Sequence, residues 1–363
     1  MILANNYVYD SRVQAEAKAL ASNGYRIIII DWDRDGNSPV PDKMESIEVH
    51  RVRTGLILRL IKRWSIQILF FWRHATKLLK KIDFDAIHCH DLNTLPAGHH
   101  AVRKYKVPLI YDAHEIYPYL LERGRSWLIR PLFQYLDKKG SCYVHQVIIA
   151  DQYYQPYFQG LGYTDPVTVL NTKKLIGTSY KEPGMQKFTL CYLGSLLPSR
   201  FLVELCEIVA GIPDVELIIA GKGPLEKKMH HFSKTIPNIQ FLGLIHTDQV
   251  IPWTQKCHVV VCMIDPNDRN NQIATANKQF EAMICGRPII STQGTRSGQI
   301  TLEENCGLVI PYKKESLRMA IQRLRDDQRL REQLGRKALA SAKKKYNWAL
   351  EQKKLLDMYK ALF

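Results

Sequence analysis

The sequence predicts an α/β protein of two domains, each built around a parallel sheet. Three observations point there. The 363 residues suit two domains of roughly 150–200 residues, each able to bury its own core. Short apolar runs such as Arg26–Ile30, Val215–Ala220 and Val259–Ile264 read as strands covered on both faces. Segments with helical spacing alternate with them, beginning with a β-α-β opening over Ile2–Ile30.

In that opening, Ile2-Leu3-Ala4 is a short strand, Asn5–Arg12 a polar loop and Val13–Asn23 a helix ended by Gly24. Asp31, Asp33 and Asp35 make a D-x-D pattern, read as acids in the loop after a strand rather than as a metal site. Phe84–His90 and Pro108–Tyr111 are the next strands. Their carboxyl ends place His90, Asp91, Asp112, His114 and Glu115 on one rim, where open parallel sheets bind ligands. Asp91 or Asn93 is a candidate cap for the helix that follows. Val144–Ala150 is a further strand, and Val167–Leu170 ends at Asn171.

Arg51–Lys81 holds nine Lys or Arg and no acid, interleaved with aliphatic and aromatic residues from Leu56 to Trp72. This predicts a helix on an anionic membrane surface, each basic residue contributing roughly 1 kcal/mol. A helix packed on the sheet by one face is the alternative. The net charge of +16 agrees with anionic partners. No secretory leader and no apolar run of membrane-spanning length is read, so the expected location is cytoplasmic, attached to the inner face of the membrane. The eight scattered cysteines read as reduced, mostly buried thiols. His88-Cys89-His90 is the nearest candidate for zinc, but strand neighbours point to opposite faces, and no metal site is expected.

After a polar stretch at 172–187, read as a linker, a strand at Thr189–Leu193 opens the second half. Ser199 is a candidate cap for a helix over Phe201–Val209. Val215–Ala220 runs into Gly221-Lys222-Gly223, where glycine permits close backbone approach. The stretch that organises the rest is Asn270–Ile290, NNQIATANKQFEAMICGRPII, following the strand Val259–Ile264. Its helix, Ala274–Cys285, would offer the amides of Ala276 and Asn277 to phosphate oxygens, with Lys278 adding charge. Glu281 would grip ribose hydroxyls one turn further on.

Here the chain resembles the retaining GT-B glycosyltransferases of family 4, through Asn277-Lys278-Gln279-Phe280-Glu281-Ala282-Met283 followed by Gly286, Pro288, Ile289 and Ile290. Asp10-Ser11-Arg12-Val13, His88-Cys89-His90-Asp91 and Tyr111-Asp112-Ala113-His114-Glu115 resemble the family's motifs in the same order. The resemblance implies two doubly wound Rossmann-like domains facing a cleft. They are an acceptor-side domain over 1–171, a linker over 172–187 and a nucleotide-sugar domain over 188–345; a helix over 346–363 returns to the first domain.

It also implies transfer from a nucleoside diphosphate sugar, with retention of configuration and no metal or other cofactor. Catalytic roles would fall to His114, touching the donor sugar, and to Glu281. Ser195, Arg200, Gly223, Ile245, Ala276, Asn277 and Lys278 would complete the donor site. Asn5, Asp10, Arg12, His90, Asp91 and Asn171 would line the acceptor side, for a glycan or lipid-linked acceptor at the membrane surface. The sequence departs from the family at Ser195, where an Arg is usual, and at Ile273, where a first Glu is usual. The usual glycine-rich loop is also absent before Asp10. Two other readings are a sugar-nucleotide epimerase of the same architecture and an inactive scaffold for an anionic ligand. Nucleic acid is not an expected partner, because the basic residues cluster with aliphatics.

Overall fold

The computed structural model describes residues 1–34, 36, 46–56, 64–122, 128–177, 179–181 and 183–362. The chain forms two compact units. The first is Met1–Leu170 together with Glu351–Phe363, and the second is Asn171–Leu350.

The first unit holds a seven-stranded sheet with the order β3-β2-β1-β4-β5-β6-β7. These strands are β1 (Ile2–Leu3), β2 (Ile27–Asp33), β3 (Ile47–Arg53), β4 (Ile87–His90), β5 (Leu109–Ala113), β6 (Gln146–Ile149) and β7 (Val167–Thr168). Every neighbouring pair is parallel. Strand order reverses direction at β1 and β4, which opens a crevice at their carboxyl ends. β2 runs past the expected Ile30, so Asp31 and Asp33 lie buried in a strand rather than in a loop. Asp31 accepts from Arg51 Nε at 3.0 Å and Nη2 at 2.6 Å. That pairing uses the carboxylate internally and corrects the loop reading; Asp35 lies outside the described residues.

The basic-aromatic segment divides. Arg51–Arg53 complete β3, residues 57–63 lie outside the described residues, and Trp64–Leu79 is helical. Helical spacing puts Ile68, Phe71, Ala75 and Leu79 on one buried face. Phe71 stacks on Trp32 of β2 with centroids 5.2 Å apart. Trp72 donates its indole N–H to the Asn93 carbonyl at 2.6 Å, so that ring is held by the protein. The opposite face carries Ile66, Leu69, Arg73 and Lys77 outward.

The second unit holds a six-stranded parallel sheet, β10-β9-β8-β11-β12-β13. Its strands are β8 (Phe188–Leu193), β9 (Val215–Ala220), β10 (Ile239–Phe241), β11 (Val259–Cys262), β12 (Ile289–Thr292) and β13 (Gly307–Ile310). The reversal falls between β8 and β11, which pair directly. Leu190, Tyr192, Leu217, Ile219, Val259, Val261 and Ile290 fill one core with the helix Leu202–Ala210. Each fully buried aliphatic side chain contributes about 1.5–3 kcal/mol. All eight cysteines are free and only Cys142 is exposed. Among the described residues no helix is long and apolar enough to cross a membrane.

Candidate functional site

In the second unit the loops after β8, β9 and β11 meet at the strand reversal. Gly221, at φ +141°, allows its chain to press on Gly194: a Cβ there would sit 1.8 Å from the Gly194 carbonyl oxygen. Gly223 is held against Leu196 in the same way, 2.6 Å from its oxygen. This packing sets the floor beneath Ser195, whose side chain is exposed and whose carbonyl accepts from Tyr192 Oη at 2.6 Å.

The organising stretch folds as a short helix, Arg269–Ile273, an extended break, and the helix Asn277–Ile284 closed by Gly286 at φ +64°. Lys278 projects from its first turn. Its Nζ lies 4.3 Å from the Tyr192 ring centroid and 3.2 Å from the position a Gly194 Cβ would occupy. Lys278 is only 8% exposed, yet among the described residues no carboxylate comes within the 4.0 Å of a salt bridge. A buried ammonium without a close counter-ion is costly. Arg200 has one weak contact, Nη1 to Asn271 Oδ1 at 3.4 Å. Glu281 is buried one turn along; burial raises its pKa, against the pull of Lys173 and Lys278.

Three expectations change here. The Ala276 amide is not open to a ligand, because it donates to Ser297 Oγ at 3.2 Å; the helix terminus leaves that role to Asn277 and Lys278. Ser199 sits in a 3-10 turn and does not cap the next helix, which starts from Phe201 at φ +55° with no side-chain cap. Asn171 groups with the second unit, donating Nδ2 to Asn277 Oδ1 at 2.9 Å. It braces the donor-side helix terminus rather than the acceptor side. Ile245 is half-buried in the loop after β10.

In the first unit Asp112 is fully buried at the end of β5 and is the hub of the rim. Arg12 grips both its oxygens, through Nε at 2.9 Å and Nη2 at 2.7 Å, and donates Nη1 to the Val169 carbonyl at 2.7 Å. His90 Nδ1 and His114 Nε2 lie 3.2 Å and 3.1 Å from Asp112 Oδ2. Burial would raise the Asp112 pKa, but Arg12 and His114 hold it well below the usual carboxylate range.

His114 reaches the surface, at 18% exposed, and Asp91 flanks it, with Oδ2 3.7 Å from Nδ1. Burial opposes its charge, but Asp91 and Asp112 outweigh that and push its pKa up to about 10. His114 is therefore an imidazolium at neutral pH. Asp91 does not cap the following helix. Its backbone stands at φ +65°, and its Oδ1 accepts the His114 amide at 3.3 Å. Such strain in a non-glycine residue is a mark of functional sites.

Arg12 and His90 are 3% and 1% exposed, so they brace the rim from below and do not line an acceptor face as expected. Asn5 donates to Asp10 Oδ2 at 3.0 Å, and Asp10 Oδ1 caps the helix Ser11–Ala21 through the Val13 amide. Glu16, from that helix, joins the cluster below the rim. Burial, then the nearby Asp112, push its pKa up to about 8. Glu16 is not among the residues singled out from the sequence, although position 16 lies one helical turn from Arg12.

Two family models match the chain. One is described as glycosyltransferase family 4 and covers residues 11–172; the other, glycosyl transferases group 1, covers 187–327. An uncharacterised glycosyltransferase of Methanocaldococcus jannaschii is 25% identical over 43% of this chain and 43% of that protein. YtcC of Bacillus subtilis, which also bears a glycosyltransferase name, is 25% identical over 54% of this chain and 51% of its own. The chain thus spans about half the length of the curated relatives it matches.

Among solved structures, a sucrose-phosphate synthase from Thermosynechococcus elongatus matches at TM-score 0.79 and 17% identity, covering 97% of this chain and 92% of that one. HepE from Anabaena, solved with UDP-glucose, matches at 0.72 and 16%, covering 99% of each. WaaG, a glycosyltransferase involved in lipopolysaccharide biosynthesis, matches at 0.72 and 14%, covering 98% and 97%. At these identities the likeness is one of fold.

Proposed function

Because the chain belongs to the GT-B glycosyltransferases of family 4, we propose that it moves a sugar from a nucleoside diphosphate sugar to a glycan or lipid-linked acceptor, retaining anomeric configuration. The carrying observation is Lys278, buried beside Tyr192 at the strand reversal with, among the described residues, no carboxylate in salt-bridge reach. A diphosphate supplies the missing anion. Lys278, Arg200 and the amides at the start of Asn277–Ile284 stabilise that diphosphate as it departs, and no metal is needed for this step. Glu281 holds the ribose hydroxyls. His114, fixed between Asp91 and Asp112 and charged at neutral pH, positions the donor sugar through its hydroxyls. HepE, of the same fold, was solved with UDP-glucose, which supports a nucleotide-sugar donor here.

The acceptor works from a membrane surface in this reading. The outward stripe Ile66, Leu69, Arg73 and Lys77 is amphipathic and basic, with Leu69 58% exposed. Flotation with vesicles of anionic lipid tests it: the wild type should float and Leu69→Glu should not.

The donor assignment is tested with a panel of nucleotide-sugars, reading binding and slow donor hydrolysis. Glu281→Ala and Arg200→Ala should each weaken binding about tenfold or more. Equal turnover by both variants would remove the site as assigned. An epimerase would change the donor with no acceptor present, so product analysis separates that alternative.

A further inference from the structure

Beneath the first unit's rim two acids stand beside one guanidinium. Glu16, on the helix Ser11–Ala21, and Asp112, in β5, are both fully buried. A carboxyl oxygen of each lies within 4.8 Å of the other. Arg12 is turned to Asp112, through Nε at 2.9 Å and Nη2 at 2.7 Å, and its Nη1 goes to the Val169 carbonyl. Glu16 Oε1 stands 3.1 Å from the same Nε, but that N–H points at Asp112. Neither Glu16 oxygen accepts a hydrogen bond.

The other groups around Glu16 do not supply the missing donor. His88 Nε2, from β4, is 3.8 Å from Glu16 Oε2, and burial takes His88 well below its ordinary value. His90, also from β4, is taken by burial to about 4 and turns its Nδ1 to Asp112. Tyr359, from the helix Trp348–Leu362, meets His88 Nδ1 at 2.8 Å. Asp31 of β2 is bound by Arg51, and Asp10 caps the head of the helix that carries Glu16. His114 stands on the far side, 3.1 Å from Asp112 Oδ2.

Two buried carboxylates this close do not both ionise. Arg12 and His114 lie on Asp112, so the negative charge rests there and the proton rests on Glu16. A carboxyl group supplies the O–H donor that its surroundings lack, and the acceptor beside it is Asp112. Burial and Asp112 both push the Glu16 pKa up, to about 8, in the same sense.

We propose that Glu16 is a positioning residue for the transfer reaction, a neutral acid whose O–H donates to Asp112 and leaves the Arg12 N–H to Asp112 alone. Asp112 in turn holds His114. The inference rests on the reading of His114 as the group that positions the donor sugar. Once Glu16 releases its proton to solvent, its Oε1 contests the Nε–H that Asp112 accepts, 3.1 Å against 2.9 Å. A second negative charge then lies beneath the rim, Asp112 loses part of its anchor, and His114 loses its fixed placement.

The first arm of the test needs no substrate. In the infrared difference spectrum of wild type minus Glu16→Gln, the C=O stretch of a protonated carboxyl should be present at neutral pH and vanish as pH rises through about 8. Its absence at neutral pH would overturn the proposal. Should Glu16→Gln not fold, wild type carrying isotope-labelled glutamate carboxyls decides. A band that moves with the label and is lost over the same range supports the neutral acid, and no such band overturns it.

The second arm is kinetic. Glu16→Gln keeps a neutral donor, so kcat at neutral pH should stay within about threefold of wild type, whereas Glu16→Ala should lower it about tenfold or more with the donor KM little changed. The wild-type kcat should fall as pH rises through about 8, and in Glu16→Gln that fall should move toward the His114 value of about 10. A purely structural Glu16 leaves the two profiles alike, and like profiles would overturn the positioning role. A missing infrared band defeats this inference and leaves the transferase reading untouched. If no sugar is transferred at all, the transferase reading fails and takes the positioning role with it, whatever the band shows.

Discussion

In the first unit Asp112 is met by Arg12, His90 and His114 before any ligand arrives. In the second, Lys278 rests on an aromatic ring and Arg200 on one long contact to Asn271. The first rim is therefore internally neutralised and stiff. The second keeps two cations, Lys278 and Arg200, with no carboxylate in salt-bridge reach among the described residues. A buried charge network that satisfies itself stabilises the fold, whereas one left open favours a charged ligand. Under the proposed function this difference becomes a division of labour, in which the first rim orients and the second binds.

The largest effect that sharpens this contrast is on stability. Arg12→Ala takes from the buried Asp112 the guanidinium that grips both its oxygens and leaves only His114 to offset it. The expected loss is about 3–5 kcal/mol, read from the urea midpoint; a loss below about 1 kcal/mol would break the contrast. Next is the pH dependence of His114. Its folded pKa of about 10 lies above the ordinary 6.5, so its contribution is complete below pH 6.5 and disappears as pH rises through 10. Urea midpoints across that window should fall more steeply for the wild type than for His114→Gln, by a few kcal/mol at most.

Lys278→Ala should do the reverse of Arg12→Ala. Folding stability should hold or rise, while affinity for a nucleoside diphosphate drops by about 1.5–3 kcal/mol, measured by calorimetry. A destabilised Lys278→Ala with unchanged affinity would show that this rim, too, is structural. The smallest effect is at Asn171→Ala, which removes one side-chain bond to Asn277 and should weaken the same binding by about 0.5–1.5 kcal/mol.

The strands were legible because burial on both faces writes them as apolar runs, and glycine marks where the second unit's loops must press together. The pairing of Arg12 with Asp112 was not, since 100 residues separate them and only the parallel order of β1, β4 and β5 brings them close. Arg12 therefore read as a loop residue open to an acceptor. Ala276 illustrates a different limit. Its amide lies at a helix start, as expected, but Ser297 takes it, and nothing local to either residue signals that bond. Arg51–Lys81 read as one segment on a membrane surface, with a helix packed by one face as the alternative; the structure gives Arg51–Arg53 to β3, and only packing told which face of Trp64–Leu79 meets Trp32.

The last residues of the chain complete the structure of the first. Glu351 accepts the Leu170 amide at 2.8 Å, and Tyr359 meets His88 at 2.8 Å. During synthesis the N-terminal sheet therefore waits for the whole of the other unit to be translated before its underside is closed. A nascent chain halted before residue 351 would present that unit unfinished to chaperones and proteases, even with every strand of its sheet already made.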